Sequence, residues 1–184
     1  MEVVGEYLIH AGREAVWRAL NDPAVLEQCI PGCDSLTRVG DGDFEAMVTA
    51  AIGPVRAKFR TALRLEDLNP PESYRLVGES KAAAGFGSGS ASVRLEEAAE
   101  GTRLRYKADF KVGGKLAQVG SRLVLGATRK LADDFFAAFA RHLDPGTARV
   151  DEPTAAPERG RHRGPWPLAA GVLVVLLILW ILLG

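Results

Sequence analysis

Residues 43–65, DFEAMVTAAIGPVRAKFRTALRL, contain the pattern that decides the fold. Side chains of two kinds alternate on both sides of Gly53-Pro54, a dipeptide typical of turns. One phase is mostly apolar and consists of Phe44, Ala46, Val48, Ala50 and Ile52 before the turn, and Ala57, Phe59, Thr61, Leu63 and Leu65 after it. The pattern predicts a β-hairpin with one face in a hydrophobic core and one face in water.

Four more segments show the same period of two and predict further strands: residues 3–9, 74–79, 91–96 and 103–112. Together with the hairpin they predict an antiparallel sheet with one solvated side. This alternation places several charged side chains on the outward face of the sheet: Asp43, Glu45, Asp109 and Lys111. The phase therefore disfavours an enzyme of the cyclase type, whose interior would need such groups.

The helices are predicted from apolar residues at three- and four-residue steps. Residues 13–21 form one short helix and residues 24–29 a second, for which Asp22 is a suitable cap and Pro23 a suitable first position. Residues 115–142 form a long helix with an apolar stripe of Leu116, Val119, Leu123, Ala127, Leu131, Phe135 and Phe139. The sheet and this helix each need an apolar partner, which predicts an α+β domain in which the sheet wraps around the helix.

Both cysteines lie in the stretch CIPGC, residues 29–33. The spacing differs from the C-x2-C spacing of redox and zinc sites, and the sequence offers no second Cys or His pair to complete a tetrahedral zinc shell. Free cysteine usually behaves as a small buried apolar residue. We therefore expect Cys29 and Cys33 to be buried on either side of a Pro-Gly turn.

Catalytic motifs and a nucleic-acid footprint are absent from the sequence. His10, His142 and His162 are scattered, and neither HExxH, GxSxG nor a phosphate-binding GxxxxGK[ST] occurs. Residues 1–144 carry 19 Lys and Arg against 20 Asp and Glu, a net charge of about −1, where a nucleic-acid-binding domain would be basic. We predict no catalytic residues and no metal site.

The size of the inward side chains suggests an apolar cavity between sheet and helix. Small residues at inward positions, among them Ala46, Ala50 and Ala108, face a helix that itself offers Gly120, which leaves volume that close-packed interiors do not keep. The alternative is that Phe59, Phe110, Phe135 and Tyr106 fill this space. The predicted lining consists of Ala57, Phe59, Leu63, Phe86, Ala91, Tyr106, Phe110, Leu116, Val119, Leu123 and Ala127.

Two surface features allow two interpretations each. Residues 82–92, AAAGFGSGSAS, are glycine-rich and predict either a mobile lid with Phe86 as a gate over the cavity or a merely flexible hairpin connection. The cations of the outward phase, Arg56, Lys58, Arg60 and Arg64, fit an acidic partner or an anionic membrane. A solvated sheet face, on which charges alternate along any exposed strand, is the preferred explanation.

The C-terminal part of the sequence predicts a linker and a membrane anchor. Residues 144–165 are rich in Pro, Arg, Ala and Gly and predict a flexible linker. Residues 166–184 contain no charge and reach about 28 Å as a helix, close to the hydrocarbon thickness of a bilayer. The expected anchor residues are Trp166, Leu168, Val172, Leu176, Leu179, Trp180 and Leu183.

The orientation of this anchor follows from the charges beside it. Arg159, Arg161 and Arg163 precede the apolar segment, and positive residues stay on the cytoplasmic side. The N-terminus does not resemble a signal peptide. We therefore expect a single-pass, tail-anchored protein whose head, residues 1–143, lies at the cytoplasmic face of the cell membrane.

Several segments resemble the CoxG family, the G-subunit family of carbon monoxide dehydrogenase, within the START/polyketide-cyclase-like (SRPBCC) superfamily. They are Asp22-Pro23, CIPGC at 29–33, IGPVRAKF at 52–59, LNPPESYRL at 68–76 and GGKLAQVGSRL at 113–123. The resemblance implies a helix-grip (Bet v1-like) fold with a seven-stranded antiparallel sheet around a long C-terminal helix and a hydrophobic tunnel. It also implies an accessory role beside a molybdenum-containing CO dehydrogenase or a related hydroxylase, which the protein would recruit to the membrane.

Three functional hypotheses follow. In the first, the head binds a lipophilic ligand, a respiratory quinone such as menaquinone or ubiquinone, and offers it to the dehydrogenase for electron transfer. In the second, the protein is a tether or an assembly and maturation factor without a ligand. In the third, which the outward acids disfavour, it is a cyclase-type enzyme.

Overall fold

The computed structural model of the protein describes residues 1–144. The predicted linker beyond residue 144 and the predicted membrane anchor lie outside the described residues. Within residues 1–144, none of the helices combines the length and the apolar composition that a membrane crossing requires. The elements in chain order are β1 (Glu2–Ile9), α1 (Arg13–Ala19), α2 (Pro23–Cys29), β2 (Cys33–Arg38), β3 (Asp43–Ile52), β4 (Val55–Asn69), β5 (Ser73–Ala82), β6 (Gly85–Ala98), β7 (Gly101–Gly114), α3 (Lys115–Val119) and α4 (Ser121–Leu143).

The seven strands form one antiparallel sheet in the order β1-β7-β6-β5-β4-β3-β2. The expected seven-stranded sheet with a C-terminal helix is therefore confirmed. The strand pattern had not indicated β2, because only Leu36 of this strand is buried and a register shift lies between Cys33 and Ser35. A strand with one buried side chain leaves no period of two to recognise.

The predicted phase of the hairpin is confirmed by its register. Phe44 pairs with Leu63 and Val48 with Phe59, all on the buried face. On the opposite face Arg64 donates to Asp43 at 2.7 Å. Asp109 and Lys111 are likewise exposed, so the acids and bases that the phase placed outward do lie there.

The two short helices close one edge of the interior. The Asp22 carboxylate accepts a hydrogen bond from the Ala24 amide at 2.9 Å, and Pro23 occupies the first helical position, as expected. Helix α1 ends at Ala19, two residues before the predicted end. Trp17 and Leu20 are buried against the sheet side of the core.

The long C-terminal helix is interrupted at Gly120, where the prediction had one continuous helix. Gly120 has φ +95° and ψ 138°, which lies outside the helical region and favours glycine. The interruption shifts the buried stripe of α4 by one residue, from the predicted Leu123, Ala127 and Leu131 to Val124, Thr128 and Ala132. Phe135 and Phe139 belong to both stripes and are buried as predicted.

The glycine-rich segment, residues 82–92, is not the predicted lid. Only its first residues form a turn, and the remainder is strand β6, paired on one side with β5 and on the other with β7. Phe86 is on the outward face, with 59% of its surface exposed. A Cβ atom on Gly113, the cross-strand partner, would lie 2.4 Å from the Phe86 ring, so the ring lies flat on Gly113. Phe86 therefore does not gate the interior.

Helix α4 lies across the concave face of the sheet. Among the strands, its main backbone contacts are with β1 at one edge and β3 near the other, while α1 and α2 pack along its side. The core occupies the space between α4 and the central strands. This space is the candidate site.

Candidate functional site

The interior between sheet and helix is lined mainly by apolar side chains. From the sheet, the predicted lining residues Phe59, Leu63, Ala91, Tyr106 and Phe110 are buried and face inward, as expected. The helix contributes Val124, Thr128, Ala132, Phe135, Phe136 and Phe139. The shift at Gly120 explains why Val124, Thr128 and Ala132 were not predicted.

One end of this interior lies between the β3–β4 turn and the start of α4. A Cβ atom added at Gly53 would lie 3.5 Å from Val119 Cγ1 and 3.8 Å from Leu123 Cδ1, so the β3–β4 turn faces the helix interruption. The predicted lining residues Ala57, Val119 and Ala127 are half-buried here, and Leu123 is 56% exposed. We call these residues the mouth of the interior. Leu123 lies on the outer side of the mouth, so the prediction that it lines the interior is wrong.

Helix α3 covers the mouth. Its Leu116 side chain is fully buried, and a Cβ atom on Gly85 of β6 would lie 3.4 Å from Leu116 Cδ1. The five-residue helix lies between Gly114 (φ +74°) and Gly120 (φ +95°). We call the β3–β4 turn, the β5–β6 turn, α3 and the first turn of α4 the open end of the head.

Aromatic side chains occupy much of the interior. The four residues considered as fillers, Phe59, Tyr106, Phe110 and Phe135, are all buried. The small residues of the central strands are also covered, since a Cβ atom on Gly78 would lie 2.6 Å from Leu63 Cδ2. In the structure described here, a ligand the size of a quinone ring would therefore have to displace side chains on entry.

The interior also contains hydroxyl groups that lack hydrogen bonds. Thr61 and Ser80 satisfy each other at 3.3 Å. The Thr128 hydroxyl and the Tyr74 hydroxyl are buried and have no hydrogen-bond partner within the described residues. Leaving such a group unpaired costs about 1–3 kcal/mol, so each is a position where an acceptor atom of a ligand or a water would bind favourably.

A tyrosine and an aspartate join α4 to the sheet edge. The Tyr7 hydroxyl donates to Asp133 Oδ1 at 2.7 Å, and its ring stacks on Phe136 with centroids 3.9 Å apart. Burial, and secondarily the hydrogen bond to Asp133, raises the pKa of Tyr7 well above its ordinary value. Tyr7 therefore remains a neutral donor at physiological pH and is poorly suited to act as a base.

The cysteines are free and flank the turn as predicted. Cys29 is buried, Cys33 is half-buried, and burial raises the pKa of each thiol to about 11. Gly32 between them has φ +76°, and a Cβ atom there would lie 2.2 Å from the Thr49 carbonyl oxygen. Because the thiolate is the reactive form, these thiols are poor nucleophiles at neutral pH. Across residues 1–144, no cluster of three or more His, Cys, Asp or Glu side chains could hold a metal ion.

Two open pockets lie outside the interior. One, of about 450 Å³, lies beside the β5–β6 turn and is lined by Lys81, Phe86, Lys115 and the small residues between them. The other, of about 430 Å³, lies on the outward face of β5, β6 and β7, where Arg75, Arg94 and Lys107 surround Ser92. Sequence reasoning indicated neither pocket, because each depends on the register of neighbouring strands.

Comparison with known proteins adds a family. The sequence profile of the CoxG family, described as the G subunit of carbon monoxide dehydrogenase, matches residues 5–144. Among curated proteins, no sequence matches this chain significantly.

Solved structures share the fold. A conserved protein from Geobacillus kaustophilus is 29% identical, with a TM-score of 0.75 over 79% of this chain and 96% of that chain. A putative uncharacterized protein from Rhizobium leguminosarum is 16% identical, with a TM-score of 0.62 over 79% and 95%. The Zhui aromatase/cyclase from Streptomyces sp. R1128 is 13% identical, with a TM-score of 0.61 over 82% and 96%. At such low identity the last two comparisons establish the polyketide-cyclase-like fold alone.

Proposed function

We propose a function that starts from the family: this chain belongs to the CoxG family, the G subunit of carbon monoxide dehydrogenase. In this proposal the protein is a non-catalytic accessory protein of a molybdenum-containing, CO dehydrogenase-type hydroxylase. Its head binds a respiratory quinone, menaquinone or ubiquinone, in the interior between sheet and α4. Its predicted C-terminal anchor holds the head at the cytoplasmic face of the cell membrane and recruits the dehydrogenase there.

The single observation that supports a ligand is the Thr128 hydroxyl. It is fully buried on the inward stripe of α4, in an interior made almost entirely of apolar side chains, and has no partner within residues 1–144. A purely structural core favours an apolar residue at such a position, because an unpaired hydroxyl destabilises the fold. A bound acceptor atom would remove this penalty.

A quinone has the chemistry that this interior accepts. Its ring carbonyls are hydrogen-bond acceptors, which Thr128 can satisfy, and its isoprenoid chain is apolar like the side chains of the mouth. The rings of Phe59, Phe110 and Phe135 offer faces for stacking a flat ring. Recognition would thus need one donor and a large apolar surface.

Entry of the ligand requires the mouth to open. Helix α3 is short, its only buried side chain is Leu116, and glycines with positive φ lie at both of its ends. We propose that α3 moves as a unit about Gly114 and Gly120, withdrawing Leu116 from the mouth. The gate is therefore α3, where the sequence had suggested Phe86.

The proposed role is consistent with the electron balance of the partner's reaction. Oxidation of CO with water to CO2 releases two electrons and two protons, and a quinone takes up two of each to become a quinol. A soluble dehydrogenase needs a way to reach quinone, which resides in the bilayer. A head with an apolar interior that is held at the membrane would supply it.

The test is mass spectrometry of an organic extract from the purified head, residues 1–144, after incubation with native membranes. The matched G. kaustophilus chain consists almost entirely of this unit, so the head is suited to separate study. We expect about one quinone per head. Thr128→Val should raise the dissociation constant for quinone about tenfold, which corresponds to the loss of one hydrogen bond of about 1.4 kcal/mol, and Thr128→Ser should retain the affinity. The extract is therefore compared over a series of quinone concentrations.

A tether without a ligand is the second candidate, favoured by the close aromatic filling of the interior. An extract free of quinone, from a head that still co-purifies with the dehydrogenase, would establish this second function. Conversion of an aromatic substrate by the head would instead support the cyclase hypothesis.

A further inference from the structure

Two of the exposed large apolar side chains, Phe86 and Leu123, lie at the open end of the head. Phe86 and Leu123 are among the large apolar side chains that the described residues expose most, at 59% and 56%. Pro54, Ala83 and Ala117 are exposed on the same three elements, the two turns and α3. The Phe86 ring lies flat on Gly113 at the outward side of this end, and Leu123 lies beside the mouth at the start of α4.

Positive charge surrounds these apolar groups. Arg56, Lys81, Lys111, Lys115 and Arg122 are exposed at the open end, and none forms an ion pair within the part of the chain that the structure describes. The three stretches that build this end contain no Asp or Glu; they are residues 46–65, 80–95 and 110–132.

The cations elsewhere on the outward face are mostly neutralised. Lys107 lies 2.8 Å from Glu2, and Arg105 lies 2.7 Å from Glu6. Lys58, next but one to Arg56 on β4, lies 2.9 Å from Asp34. A solvated sheet face thus explains most of the cation stripe, whereas the cations of the open end remain without a counter-charge in the described head.

We propose that the open end is a docking face for an anionic lipid bilayer. Single exposed apolar side chains among cations without ion pairs suit the boundary between headgroups and acyl chains. A protein partner of comparable affinity would be expected to meet a flatter, contiguous surface with paired polar groups. This inference rests on the proposed function, because docking would place the mouth directly on the bilayer that holds the quinone.

The experiment uses the full chain in vesicles of phosphatidylcholine with or without phosphatidylglycerol. An environment-sensitive fluorophore is attached at Phe86→Cys in a Cys29→Ala, Cys33→Ser background. The matched control carries the fluorophore at Leu68→Cys, an apolar position near the β4–β5 turn at the other end of the head, 40% exposed. We expect a blue shift at position 86 only, and only with phosphatidylglycerol.

A charge variant tests the electrostatic part. Each basic residue near an anionic surface strengthens binding about fivefold, so Lys81→Gln with Lys115→Gln and Arg122→Gln should lower the docking equilibrium on the order of 100-fold. The control removes the same charge away from the open end, by Arg18→Gln, Arg75→Gln and Arg94→Gln. This control should dock like the natural chain.

Several outcomes would overturn the proposal: equal spectra at positions 86 and 68, a shift that is independent of phosphatidylglycerol, equal effects of the two charge variants, or a shift that requires added dehydrogenase. The last outcome would assign the open end to a protein partner. The assay contains no quinone, so docking can fail while extraction of quinone succeeds, and the reverse can also occur. The two proposals therefore stand or fall separately.

Discussion

The two ends of the head are stabilised in different ways. At the end formed by α1, the β4–β5 turn and the β6–β7 turn, which we call the closed end, Trp17 packs edge-on against Tyr74 with ring centroids 5.4 Å apart. Arg13 forms ion pairs with Glu72 and Glu97 at 3.7 and 3.2 Å. Polar and apolar contacts there tie α1 to the ends of the strands.

The open end has none of these contacts among the described residues. Its helix α3 is bounded by glycines and has no side-chain cap. Phe86 and Leu123 at this end are more than half exposed. Elements with few buried contacts are those that open most easily. The comparison predicts that the closed end contributes more to the stability of the fold than the open end does.

The largest expected effect comes from the closed end. Trp17→Ala should lower the free energy of unfolding by about 3–5 kcal/mol, because a buried aromatic side chain is replaced by a cavity. Phe86→Ala at the open end should change it by about 0.5 kcal/mol or less, as for an ordinary surface site. Urea denaturation of the head measures both. Similar losses for the two variants would abolish the distinction between the ends.

Two glycines of the C-terminal helices sharpen the comparison. Gly120→Ala should destabilise the head by about 1–3 kcal/mol, because alanine is strained at φ +95° although no atom lies within 4 Å of the added Cβ. Gly126→Ala, equally free of neighbours but inside α4, should stabilise it by about 1 kcal/mol. Thermal unfolding distinguishes the signs, and a stabilising Gly120→Ala would contradict the hinge.

Alkaline pH tests the burial of Tyr74 at the closed end. Burial raises the pKa of Tyr74 well above 10.0, so its phenol ionises more readily in the unfolded chain. The contribution of the neutral phenol to the free energy of unfolding is fully present below pH 10. It is lost as the pH rises through the folded-state pKa. Tyr74→Phe should raise the free energy of unfolding by about 1 kcal/mol at pH 7. Above pH 10 the free energy of unfolding of the variant should fall less than that of the natural chain. Parallel pH curves for the two proteins would show that Tyr74 is accessible to water.

The smallest effect concerns Thr128 in the empty head. Thr128→Val should raise the free energy of unfolding by about 1 kcal/mol, since it removes an unpaired buried hydroxyl. In the proposed function the same substitution weakens quinone binding, so its effects on stability and on binding have opposite signs. Calorimetry of the ligand-free variant gives the first sign. A destabilised variant would mean that the hydroxyl already has a partner, such as an internal water.

Much of the fold was predictable because alternation repeats along several long strands. Phe44, Phe59 and Phe110 were assigned to the correct face from period two alone. The glycine-rich part of β6 was misread because Gly87 and Gly89 carry no side chain that shows a phase, although the neighbouring strands pair with them. Ladder hydrogen bonds and cross-strand coverage determine such a segment, and both are tertiary properties.

The candidate site was predictable in part. Most of the predicted sheet residues are buried on the inward face, with Phe86 as the exception. The predicted helix stripe was displaced by one residue, because a glycine inside a helical pattern does not show whether it interrupts the helix. Leu123 was therefore predicted to face inward, and Thr128 was not identified. A threonine four residues from both Val124 and Ala132 was the available signal, since these three residues share one face of a helix.

Helix α4 starts at the open end and runs about 35 Å over its 23 residues to Leu143. The polypeptide therefore leaves the head far from the mouth. A chain of 22 residues, the number in 144–165, spans at most about 75 Å, so the proposed membrane anchor would allow the head to face the bilayer in either orientation. Loading from the membrane and delivery to a cytosolic enzyme would then differ by a rotation of the whole head about its attachment point, without any change of fold.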